Sequence, residues 1–208
     1  MASMEMPTRA DVIPDEEGHN TQADLLSGIS DLDAVSHLLA DLHDDLPGKV
    51  TRFRHLADLG GALGPQGTML FGGAATFNAW TEARSSFVHG NFAATIVLCQ
   101  SLVENLLAAF LHAGLMMDDL PPRIAFRDTL KRCQDRNLIS GPDSGDLERL
   151  MSLRNPLSHF RTVADNQNID RRAITAGLRS EVLIGQDAWF AIGLAVRILG
   201  RVDEFDQA

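Results

Sequence analysis

The 208-residue chain has no tyrosine, two tryptophans and two cysteines. Cys99 and Cys133 are too few and too isolated to read as a disulfide framework or a Cys-rich zinc site. Both lie in apolar, helix-like contexts, where inert buried thiols are expected. No run of eighteen apolar residues is free of polar interruption, so no membrane span is expected. Residues 1–20 carry acids where a signal peptide would carry a basic stretch and an apolar core, and a cytoplasmic protein is expected. Extended sequence is scarce too. Val182-Leu183-Ile184 is the single strand-like fragment, and no internal repeat is visible. Basic residues number 18 against 28 acids, for a net charge of −10, which argues against nucleic acid as a partner of the chain as a whole.

The distribution of charge softens that argument. Residues 1–60 hold 12 acids and 4 bases, whereas residues 121–179 hold 11 bases and 7 acids, a local balance of +4. A basic cleft in an acidic protein can bind RNA while non-specific adhesion stays low. The alternative for these arginines is a set of solvated helix faces.

With 45% hydrophobic and 22% charged residues the composition is that of a globular domain, large enough for one substantial core. Residues 1–20 lack apolar periodicity and read as a disordered tail. Residues 21–73 read as an N-terminal helical extension with a Gly-rich connection. Within it, 21–46 form one helix with Leu25, Ile29, Leu32, Val35, Leu39 and Leu42 on a face, and about 49–59 form a second. The extension packs on the core or presents a surface to a partner; the pattern fits both. Gly67 to Gly72-Gly73 lacks the Gly-Lys-Ser/Thr ending and the preceding strand of a phosphate loop. From 74 to 208 the pattern is that of an all-α domain, a bundle of four to five helices. Helices are expected at 74–88 and 91–114, the second apolar around most of its circumference and central. A third is expected from Pro121-Pro122 to about Leu138, capped by Asp118-Asp119. After a turn at Ser140-Gly141-Pro142, a helix capped by Asp143 or Ser144 carries an unusual motif. A short helix near 170–179 follows, then a last one over 186–204 that buries Trp189, Ile192, Val196 and Leu199.

The motif is Leu153-Arg154-Asn155-Pro156-Leu157-Ser158-His159-Phe160-Arg161. Leu147, Leu150 and Met151 precede Arg154 on an apolar stripe and Leu157 follows it, so a guanidinium is expected in a core-like slot. A guanidinium there requires an anionic or hydrogen-bonding partner. His159 can exchange a proton near neutral pH. Five residues apart on a straight helix, the two side chains diverge by about 140°. Pro156 lacks the amide hydrogen owed to the Ser152 carbonyl, so a kink or break is expected. Either the kink turns both side chains into one cleft or two copies of the helix pool their motifs across a dimer; the second is favoured. The alternative is a helix cap and a histidine that hydrogen-bond locally.

Arg154, Asn155 and His159, with four residues between arginine and histidine, resemble the signature of the HEPN superfamily (higher eukaryotes and prokaryotes nucleotide-binding domain). The segment Phe87-Val88-His89-Gly90-Asn91-Phe92-Ala93-Ala94 leading into Glu104 resembles the family's earlier central helix. The likeness covers about 74–204. It implies a HEPN-like helical domain acting as a homodimer: a metal-independent, cofactor-free endoribonuclease, often a toxin or an antiviral, abortive-infection effector. An antitoxin or regulatory protein would be a further partner. By that resemblance His159 would move a proton to or from the ribose 2′-hydroxyl or the leaving 5′-oxygen. Arg154 would hold the scissile phosphate, Asn155 would orient the phosphate or fix His159, and Glu104 would orient Arg154 or share the acid–base work. Arg161 stands where many family toxins carry an aromatic residue, often tyrosine. Arg161 and Arg149 are the candidate RNA contacts. The other reading is a non-catalytic helical module for dimerisation or for binding RNA or protein.

Overall fold

The computed structural model describes residues 30–62, 72–113, 121 and 123–206, and the fold is all-α, with eight helices and no strand among them. The chain divides into two units, Met1–Asp44 and Asp45–Ala208. In the first, helix α1 (Asp31–His43) is capped by Ser30, whose hydroxyl accepts from the Asp33 amide at 3.2 Å. Asp31 and Asp33 add negative charge at the positive end of the helix dipole. Its leucine face is exposed at Leu32, Val35, Leu38, Leu39 and Leu42. The tail at 1–20 and the start of the expected 21–46 helix lie outside the described residues.

The second unit holds α2 (Leu46–Ala62), α3 (Gly73–His89), α4 (Phe92–Ala113), α5 (Phe126–Asp135), α6 (Gly141–Ser158), α7 (Ile169–Ala176) and α8 (Ser180–Asp206). Helix α4 is central and packs against α3, α5, α6 and α8. It buries Ile96, Cys99, Leu102, Val103, Leu106, Leu107 and Leu111, as its nearly all-round apolar sequence requires. By length and composition α4 and the Ser180–Arg201 part of α8 could each cross a membrane. Here they pack on each other, and the core absorbs that apolar surface.

The boundary between units falls after Asp44 rather than at the Gly-rich connection, because α2 is pinned to the bundle. The buried Arg52 guanidinium donates from Nε to the Val88 carbonyl at 2.9 Å and from Nη1 to Asp45 at 3.0 Å. It also lies 5.5 Å from the centre of the Phe92 ring. The His55 ring lies tilted against Trp189, centroids 4.4 Å apart, and Trp189 in turn meets Phe87 edge-on at 5.0 Å. Helix α3 stops at Gly90, whose φ of +81° is a left-handed conformation that glycine adopts without strain.

Several expected boundaries move. Helix α5 begins at Phe126, not at Pro121-Pro122, because its buried stripe of Phe126, Leu130 and Cys133 begins there (Pro122 and the expected cap at Asp118-Asp119 lie outside the described residues). Ser140 rather than Asp143 or Ser144 caps α6, and Gly141 and Pro142 form its first turn instead of a separate turn. Val182-Leu183-Ile184 is helical, since α8 starts at Ser180. Gly185 does not stop it. A Cβ there would lie 3.3 Å from the Phe92 ring, so the glycine allows α8 to approach α4 closely. Trp189 is 36% exposed, at the rim of the core rather than inside it.

Candidate functional site

Helix α6 is held at its beginning by charge. Asp143 is buried and meets Arg197 Nε at 3.1 Å and Arg201 Nε at 3.2 Å from α8, and Arg197 also pairs with Asp146. Leu147, Leu150 and Leu153 then carry the helix along the core. Leu153 fills the core slot at the level of the motif. Arg154, expected in that slot, sits half-buried beside it. This is a correction to the stripe read through Arg154: the buried line steps by threes from Leu147 to Leu153, and the arginine flanks it.

Pro156 does not break the helix. Helix α6 continues to Ser158, and His159 closes it in an extended conformation (φ −136°, ψ 133°), its amide donating to the Asn155 carbonyl at 2.9 Å. One missing donor near a helix end is tolerated because two further residues suffice to finish the turn. The imidazole of His159 is exposed. The side chains of Arg154, Asn155 and His159 make no hydrogen bond or ion pair among the described residues, to one another or to any other group. Three polar groups of complementary chemistry thus stand at the end of one helix without a bonded partner among the described residues.

Glu104 is half-buried on α4 and accepts from Gln100 Nε2 at 3.4 Å. No bond joins it to Arg154 among the described residues. Gln100 Oε1 is buried without a donor among the described residues, and an unsatisfied polar atom costs about 1–3 kcal/mol. The two arginines expected to contact RNA are partly engaged. Arg149 is exposed and stacks 4.0 Å above the Phe190 ring centre. Arg161 is half-buried, and its Nη1 donates to Asp165 Oδ2 at 3.1 Å.

Other charged groups escaped the sequence. Asp187 of α8 is buried and accepts from Arg172 Nη2 at 2.8 Å. Burial pushes its carboxyl above the ordinary range, while the hydrogen bond and charge of Arg172 and the charge of Arg149 pull it back. Its long sequence distance from Arg172 left no local signal. Burial also raises both thiols, Cys133 to about 12 and Cys99 further, so neither supplies a thiolate nucleophile. Among the described residues no three His, Cys, Asp or Glu side chains gather as a metal-binding group. No protein-family model matches this chain, and comparisons with curated proteins and with solved structures give no match.

Proposed function

We propose that the protein is a metal-independent endoribonuclease with a HEPN-like bundle, working as a homodimer in the cytoplasm as a toxin or phage-defence effector. The observation that carries this reading is that Arg154, Asn155 and His159, at the end of α6, have no bonded side-chain partner among the described residues. A half-buried guanidinium without an anion among the described residues is open to a phosphate, and the exposed imidazole five residues on can carry a proton. In the proposed reaction His159 accepts the 2′-hydroxyl proton. The freed oxygen attacks phosphorus, the bond from phosphorus to the 5′-oxygen breaks, and that oxygen takes a proton from a second imidazole. Arg154 stabilises the charge on the pentacoordinate phosphorus. The products are a 2′,3′-cyclic phosphate and a 5′-hydroxyl. Pairing two α6 ends across a dimer supplies both imidazoles. Exposed Arg149 fits a backbone contact.

The test is RNA cleavage in EDTA by the purified chain and by His159→Ala. The variant should lose at least about 100-fold in rate, the usual contribution of a positioned acid–base group, with its helical content intact. Unchanged cleavage by His159→Ala would remove the assigned role. Absence of any cleavage by the parent, with RNA binding lost in Arg154→Ala, would instead favour a non-catalytic RNA-binding module, a reading supported by the same unpartnered arginine.

A further inference from the structure

Where α6 gives way to the loop before α7, a cleft of about 400 Å³ opens beside the motif. Small-ligand sites span roughly 300–1,000 Å³. Pro156 and Ile184 give it apolar wall, and Phe160, the residue after His159, stands at it with 91% of its surface exposed. Two charged groups line the same cleft, Arg161 and Asp170. Arg161 is fixed from two directions: its Nη1 by Asp165, and its carbonyl by Asn168 Nδ2, which donates to it at 2.9 Å. That leaves Nη2, with two N–H donors, without an acceptor among the described residues; Nε also lacks one but is buried beyond a ligand's reach. Asp170 Oδ1 accepts from Ser180 Oγ at 2.9 Å, while Oδ2 has no donor among the described residues.

Resting on the nuclease reading of the adjacent motif, we infer that this cleft is the nucleobase subsite of the RNA and that it takes guanine. A guanidinium only donates and a carboxylate only accepts. Guanine places two acceptors, N7 and O6, next to two donors, N1–H and the 2-amino group. Two arginine N–H donors against N7 and O6 make the commonest specific contact between arginine and a base. The carboxylate then takes the donors on the neighbouring edge. Adenine and cytosine each offer a single amino group as donor and uracil a single imino group, so none sets two neighbouring donors beside two neighbouring acceptors as guanine does. The exposed Phe160 ring supplies the stacking surface that unpaired RNA bases use. The base would sit one residue from His159, so recognition and cleavage would address the same nucleotide.

The experiment is calorimetric titration of the full chain with guanosine 3′-monophosphate, adenosine 3′-monophosphate and uridine 3′-monophosphate. The guanine nucleotide should bind at least tenfold more tightly than the other two. Asp170→Asn should abolish that preference, and its melting curve reports its folding, since asparagine keeps an acceptor for Ser180. Equal binding of the three nucleotides, a preference for adenine or uracil, or no binding overturns the guanine subsite. RNA cleavage without a guanine preference overturns this inference and leaves the nuclease standing. A guanine preference in a protein that leaves RNA intact overturns the nuclease and leaves the subsite.

Discussion

Asp187 shows how a single buried acid is held. Its side chain is 6% exposed and its partner, Arg172, is 25% exposed. Removing the arginine would leave a buried carboxylate without its hydrogen-bonded partner. Arg172→Ala should therefore cost about 3 kcal/mol at neutral pH, the low end for breaking a buried pair because the arginine is partly solvated. Because the folded carboxyl is raised above its unfolded value, its contribution is full below about pH 3.9 and is lost as pH climbs through the raised value. Melting curves between pH 3 and 6 check both points. The parent should lose stability across that rise relative to Asp187→Asn, and the cost of Arg172→Ala should shrink in acid. A cost that is flat with pH would contradict the raised value. Such pairs are hidden in the sequence. Arg52 with the Val88 carbonyl, Asp143 with Arg197 and Arg172 with Asp187 are joined only by the fold, and each charged side chain alone looks like an ordinary surface residue.

At the scale of elements, apolar periodicity carried most of the information. It placed α3 and α4 within a residue or two of their observed bounds, and α4 was legible as central because few of its positions are polar. Helix starts were harder to read where several cap-forming residues compete. Ser140, Asp143 and Ser144 all suit a cap, and the buried bonds of Asp143 to Arg197 and Arg201 decide for Ser140. Ser140→Ala should thus cost about 1 kcal/mol, the typical loss of an N-cap hydroxyl. Chemical denaturation measures this, and a change below a few tenths would contradict the assignment. Local β-branching misled at Val182-Leu183-Ile184. Burial of Leu183 and the close approach at Gly185 outweigh strand propensity there. Pro156 misled as a break because the helix had only two residues left to run.

Over the whole molecule, the sequence brought the candidate residues close along one helix, but it did not say whether they meet. One chain leaves Arg154, Asn155 and His159 near each other in sequence without a bond between them, and Glu104 with Gln100. The proposed dimer brings two such helix ends together. Arg154→Ala and His159→Ala should each be inert alone, and a mixed dimer of His159→Ala with the parent chain should be inert too, because the reaction needs both imidazoles. Half the parent rate or more from a verified mixed dimer would contradict a shared cleft. The most direct measurement is of the ends left on RNA incubated with the chain in EDTA. The parent should leave 2′,3′-cyclic phosphates and 5′-hydroxyls, and His159→Ala should leave neither. Intact RNA with the parent, or the same ends from both proteins, would contradict the account.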